Sequence, residues 1–170
     1  TAPSSGCSAT LFLGNPTCCS DTACTIDVDI APTAASCTYD FGTRAVTITG
    51  NVVLGSRTMT LSAGSVLLRG NVQGRGVAGA TGGTFRVQTV GKRAPAFTMD
   101  VDAAIIDLRG EAGGGTFELA ADGAVLMTKG AIKVETTPPT VANVPERSAG
   151  SVTRLDTITS RAKTPPPSCG

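Results

Sequence analysis

Apolar and polar residues alternate strictly from Cys24 to Ile30, which places Ile26, Val28 and Ile30 on one face and Asp27 and Asp29 on the other. Short runs of strand-like sequence follow at 37–42, 45–50, 51–55 and 84–90, most of them closed by a glycine. Two longer stretches, 58–72 and 116–132, repeat one plan. Each has an alternating strand, a glycine (Gly64, Gly123), a second apolar strand (Val66-Leu67-Leu68, Val125-Leu126-Met127), another glycine (Gly70, Gly130) and the start of a third strand. An internal repeat of this kind sets the architecture before any other signal.

Single glycines between strands do not make two-residue hairpins, which ask for Asn-Gly or Asp-Gly; only Asp122-Gly123 is ambiguous. They suit corners, where the chain bends sharply and a Cβ would clash. Gly50, Gly55, Gly64, Gly70, Gly110, Gly123 and Gly130 are the expected corners. The prediction is an all-β fold, a β-solenoid of about four rungs in which each rung buries its inward side chains against its neighbours. The run Leu108-Arg109-Gly110 echoes Leu68-Arg69-Gly70, so the two are expected to be equivalent corners.

The expected divisions are a Cys-rich N-terminal cap or connector at 1–36, the solenoid at 37–135, and an extended Pro-rich tail at 136–170, in which 151–158 could form a fifth strand or a lone edge strand. Within the first, the apolar patch Leu11-Phe12-Leu13 is the candidate end cover, pinned by Cys7, Cys18, Cys19 and Cys24. Gly91-Lys92-Arg93-Ala94-Pro95 interrupts the third rung as a lateral loop. The run 75–83 reads as a flexible loop by composition; it lacks the Gly-Lys-Ser/Thr ending of a phosphate cradle and opens no helical pattern.

Composition supports a narrow core. The 170 residues include 21 Gly and no Trp, and aromatics make up only 4%, so Val, Leu, Ile, Ala and Thr must fill the interior. A net charge of +1 recommends neither nucleic acid nor an anionic membrane as partner, and no apolar run has the length of a membrane span. Six cysteines, Cys7, Cys18, Cys19, Cys24, Cys37 and Cys169, point to disulfides in an oxidising, extracellular compartment. The start at Thr1 reads as that of a processed mature chain.

The absence of His excludes Ser-His-Asp and Cys-His arrangements. Asp100, Asp102 and Asp107 could pair for acid–base work on a glycosidic bond, but outward, solvated carboxylates are the favoured reading. Asp27 and Asp29 supply too few oxygens for calcium. No catalytic, metal or cofactor site is therefore assigned. Arg44, Arg57, Arg69, Arg75, Arg86 and Arg109 recur through the rungs, and stacking could align some as a ladder for an acidic surface polysaccharide.

The passage 40–48, with Gly-Thr-Phe after glycine runs at 83–85 and 115–117, resembles secreted bacterial right-handed parallel β-helix proteins of the filamentous-haemagglutinin-like and adhesin-like class. The likeness covers roughly 37–135 and implies a short right-handed parallel β-helix. The expected function is an extracellular structural subunit that stacks end to end into a filament or matrix, a homopolymer in which Cys169 either links one chain covalently to the next or folds back to close a bridge within its own chain. The alternatives are a surface- or glycan-binding adhesin fragment and, third, a polysaccharide-degrading enzyme.

Overall fold

The computed structural model describes residues 4–76 and 78–136. After β1 (Ser4–Gly6) and the single helical turn α1 (Thr10–Leu13), the chain forms short strands in groups of three. The first groups are β2 (Ala23–Ile26), β3 (Ile30–Pro32), β4 (Ser36–Asp40), then β5 (Ala45–Ile48), β6 (Val52–Val53), β7 (Thr58–Ala63). Next come β8 (Ser65–Leu68), β9 (Val72–Gln73), β10 (Thr84–Thr89), then β11 (Phe97–Met99), β12 (Ile105–Asp107), β13 (Thr116–Ala120). Two strands close the series, β14 (Val125–Met127) and β15 (Ala131–Lys133).

First members of each group make a five-stranded sheet, β2-β5-β8-β11-β14; second members, with β1 at the edge, make a six-stranded sheet; third members make a four-stranded sheet, β4-β7-β10-β13. Every pairing between these strands is parallel. The fold is thus nearly all-β, built of parallel sheets of stacked strands, and is compatible with a β-solenoid.

Register turns the alternation of each strand into columns of side chains. Ile26, Ile48, Leu68, Met99 and Met127 stack in the five-stranded sheet. Ile30, Val52, Val72, Ile106 and Ile132 stack in the six-stranded sheet. Cys37, Met59, Phe85 and Phe117 stack in the four-stranded sheet, and all of these residues are buried. The two-residue strand β6 buries Val52 and leaves Val53 exposed. One such side chain contributes roughly 2 kcal/mol, against roughly 1–2 kcal/mol of backbone ordering per residue. The strand is held because the coils on both sides cover it.

The long repeats 58–72 and 116–132 occupy matching positions: Thr58 and Thr116 both pair with Thr84, and Val66 and Val125 both pair with Phe97. Three expectations need correction. The alternating run from Cys24 to Ile30 is two strands with a bend at 27–29; Val28 is buried at that bend, so alternation continues through a corner and hides it. Paired strands also begin well before the expected boundary at residue 37, since β2 and β3 already stand in the sheets. Leu68-Arg69-Gly70 and Leu108-Arg109-Gly110 are different corners: the first follows β8 of the five-stranded sheet, the second β12 of the six-stranded sheet.

The glycine-rich run at 75–83 is a further correction. Its backbone is hydrogen-bonded to the matching loop of the next coil: Gly76 N donates to Arg109 O (2.8 Å), Gly82 N to Gly113 O (3.0 Å) and Ala112 N to Ala80 O (3.1 Å). A Cβ on Gly82 would strike Leu108 O and one on Gly115 would strike Gly83 O, so glycine serves close backbone stacking here. The strand expected at 151–158 and Cys169 lie outside the described residues, as does the tail beyond Thr136.

Candidate functional site

Three places concentrate chemistry: the N-terminal end, the corner between the five- and six-stranded sheets, and the outer face of the five-stranded sheet. At the N-terminal end residues of the lead pack on β2, β3 and β4, and β1 forms the edge of the six-stranded sheet. β1 pairs on β3 in parallel register. Against β2, Thr25 N donates to Cys18 O (2.7 Å) and Cys19 bridges Cys24 in antiparallel fashion. Beside β4, Phe12 of α1 is buried against Phe41 with ring centroids 6.2 Å apart. The Tyr39 hydroxyl donates to Gly6 O (2.7 Å), and burial pushes its pKa up to about 12.

Disulfides join Cys7 to Cys37 and Cys19 to Cys24, across 30 and 5 residues of sequence, and Cys18 is disulfide-bonded as well. Such bonds fit an oxidising, non-cytoplasmic location. No helix among the described residues is long and apolar enough to cross a membrane.

The corner between β5 and β6 reads Gly50-Asn51, and that between β8 and β9 reads Gly70-Asn71. A Cβ on Gly70 would strike Gly50 O, and one on Gly50 would strike Val28 O, so the corners nest backbone on backbone. Beside this column runs a polar ladder. Asn51 N donates to Asp29 Oδ1 (3.0 Å), Asn71 N to Asn51 Oδ1 (3.1 Å) and Ile105 N to Asn71 Oδ1 (3.3 Å). Each side chain thus satisfies a backbone donor of the following coil. The ladder was not expected from sequence; its signal was the Gly-Asn-Val triplet repeated at 50–52 and 70–72.

The other expected corner glycines also lie between strands. Gly64 and Gly123 face Thr43 O and Arg93 O, Gly130 faces Ala104 O, and Gly110 sits among Gly82 and Gly113. Gly55 and Gly130 have φ of +62° and +88°, the left-handed region, and Gly55 differs from the rest in that the space around it is open apart from Arg57.

The candidate carboxylates do not converge. Asp100 is buried, contrary to the expectation that it faces water, because Arg69 grips it with two hydrogen bonds (Nε–Oδ1 2.9 Å, Nη2–Oδ2 2.7 Å). Asp102 is exposed beside Lys129 (3.1 Å). Asp107 is held by Arg109 through a second bidentate pair (2.8 and 2.7 Å), whose hydrogen bonds hold the carboxyl below its ordinary pKa of 3.8. Nor do the arginines form one ladder. Arg44 donates to Ser20 O, Arg69 to Asp100, Arg86 to Glu118 and Arg109 to Asp107, at separate corners and faces. Among the described residues no group of three or more His, Cys, Asp and Glu is placed to hold a metal.

Along the five-stranded sheet, outward positions include Thr25, Thr47, Leu67, Thr98 and Leu126 in one column. A groove of about 350 Å³ crosses this face, with Pro95 before β11 and Asp100 after it. None of the family models, curated proteins or solved structures compared with the chain matches it.

Proposed function

We propose that this chain is an extracellular, non-catalytic structural module, a β-solenoid of about four turns closed at its N-terminal end by a disulfide-pinned cap. The observation that carries this reading is the packing of residues 4–22 on β2, β3 and β4, with Cys7–Cys37 and Cys19–Cys24 fastening them there. A stack of parallel strands presents unpaired backbone at both ends, and a cover at one end is the device that stops uncontrolled growth there. The kinship with haemagglutinin-like β-helix proteins belongs to the same proposal and rests on the rung pattern alone.

This reading changes the form of assembly. An end-to-end filament requires both ends open, because a repeated head-to-tail contact uses each of them. With the N-terminal end closed, stacking among the described residues is left to β13, β14 and β15, which gives one chain or a pair. Negative-stain electron microscopy and sedimentation of the full chain, without reductant, test it. Monomers or pairs support the capped module; uniform filaments overturn the cap and restore end-to-end polymerisation.

A further inference from the structure

The groove on the outer face of the five-stranded sheet has no part in closing the stack, and a disulfide stands at the head of that face. Among the described residues Cys7 pairs with Cys37 and Cys19 with Cys24, and Cys18 is disulfide-bonded too. The chain holds six cysteines, so the one that remains for Cys18 is Cys169. Cys18 is buried on β2, where its carbonyl accepts from Thr25 N (2.7 Å). Thr25 heads the outward column that continues through Thr47, Leu67, Thr98 and Leu126. Below it lies the groove, lined chiefly by apolar surface to which Ala45, Val66, Leu67 and Pro95 contribute. Leu126 is exposed at the foot of the same column. Apolar surface gathered in this way marks a place where another segment packs.

We infer that Cys18 and Cys169 form a disulfide within one chain, and that residues 137–168 are thereby laid against the outer face of the five-stranded sheet and fill its groove. A bond from Cys169 to another chain would leave Cys18 no cysteine to pair with inside its own, and Cys18 is paired there. Forming the bond takes two protons and two electrons from the two thiols, passed to the disulfide oxidants of an oxidising compartment as for the other two bridges. Length permits the return. Five stacked strands span about 20 Å, and the roughly 30 residues between Thr136 and Cys169 reach about 100 Å when extended. The composition of the segment matches the face. Val152, Leu155 and Ile158 supply apolar side chains for the groove. Its four cations, Arg147, Arg154, Arg161 and Lys163, outnumber Glu146 and Asp156. Asp27 and Asp100, which follow β2 and β11, each have a partner beyond the contacts described above, and a cationic segment suits carboxylates at both points.

The test takes the full chain from an oxidising compartment and denatures it without reductant. It should run as a single chain with no thiol open to maleimide. Trypsin should release 164–170 joined to 1–44, the peptide that holds the other five cysteines, and fragmentation should place the link on Cys18. Cys18→Ser should expose one thiol, that of Cys169. In nuclear Overhauser spectra of the folded, methyl-labelled chain, Leu67 should contact residues of 137–168. A Cys169 that is free, bonded to another chain or bonded to another cysteine overturns the proposal, and so does a Leu67 without contacts to that segment. The full-length Cys169→Ser variant can form no such link, so its sedimentation tests the capped module independently of this bond.

Discussion

Leu-Arg-Gly occurs at 68–70 and again at 108–110, and the two copies are built into different parts of the stack. Arg69 reaches across to Asp100 on the next coil, 31 residues on, while Arg109 turns back to Asp107 two residues before it. Gly70 lies over Gly50 of the preceding coil, in a column of nested corners; Gly110 lies among Gly82 and Gly113 of the stacked glycine-rich loops. Leu68 belongs to the column of Ile48 and Met99, whereas Leu108 fills space beside Gly74, where a Cβ would meet its side chain. Identical tripeptides have come to opposite uses because position within a coil, and not local sequence, chooses the neighbours.

The largest expected difference between the copies is in their arginines. Arg69→Met leaves Asp100 buried without its cation and should cost about 4 kcal/mol. Arg109→Met leaves Asp107 less buried, with both side chains of that pair 23% exposed, and should cost about 1 kcal/mol. Urea unfolding of the two variants reads this directly. Equal losses would break the contrast between a cross-coil pair and a local one.

The glycines come next. Gly70→Ala drives a Cβ into Gly50 O, a carbonyl locked between two strands, and should cost about 3 kcal/mol. Gly110→Ala meets Gly82 N and Gly113 O less deeply than Gly70→Ala meets Gly50 O, and should cost about half as much. Gly14→Ala, with no atom near the added methyl, is the neutral control. Thermal melts that ranked Gly110→Ala above Gly70→Ala would show the loops to be the stiffer of the two regions.

What could be read in the sequence follows the same division. Within a strand, the two-residue period placed Ile26 and Ile30 on one face, and both are buried, because alternation depends on the pleat alone. Repeats matched over three strands, 58–72 and 116–132, also gave the right register, because so long a match fixes position within the coil. A tripeptide match does not, and Leu108-Arg109-Gly110 was misplaced by one sheet. The bend at 27–29 escaped because Val28 keeps the period while pointing into a corner. The stacked loops escaped because glycine-rich sequence reads as freedom, whereas here it permits close backbone packing. For the groove, burial of Asp100 depends on Arg69 arriving from another coil, and no local pattern announces that.

Asn71 sharpens the contrast on a smaller scale, since the first corner has a side-chain ladder beside it. Asn71→Ala removes the acceptor of Ile105 N and should cost about 1 kcal/mol. Asn71→Asp keeps an acceptor in place, as Asp29 does at the foot of the same ladder, and should recover most of the loss. Amide hydrogen exchange at Ile105 should rise in the first variant and stay near wild type in the second. Unchanged exchange in both would mean that the ladder does not protect this corner.

The smallest expected effect concerns acid. Asp107 has its pKa lowered from 3.8, chiefly by the hydrogen bond from Arg109, so the unfolded chain binds its proton more readily than the folded one. The stability gained from this pair is present above that ordinary value and is lost as pH falls below it. Arg109→Met should therefore flatten the acid limb of the unfolding midpoint between about pH 5 and about pH 2, most visibly at its lower end. Arg69→Met, which leaves Asp107 and its partner intact, should keep the contribution of that carboxyl while lowering the whole curve. If Arg109→Met instead kept the full acid dependence, the local pair would be a surface decoration, and only the cross-coil copy of Leu-Arg-Gly would carry electrostatic weight.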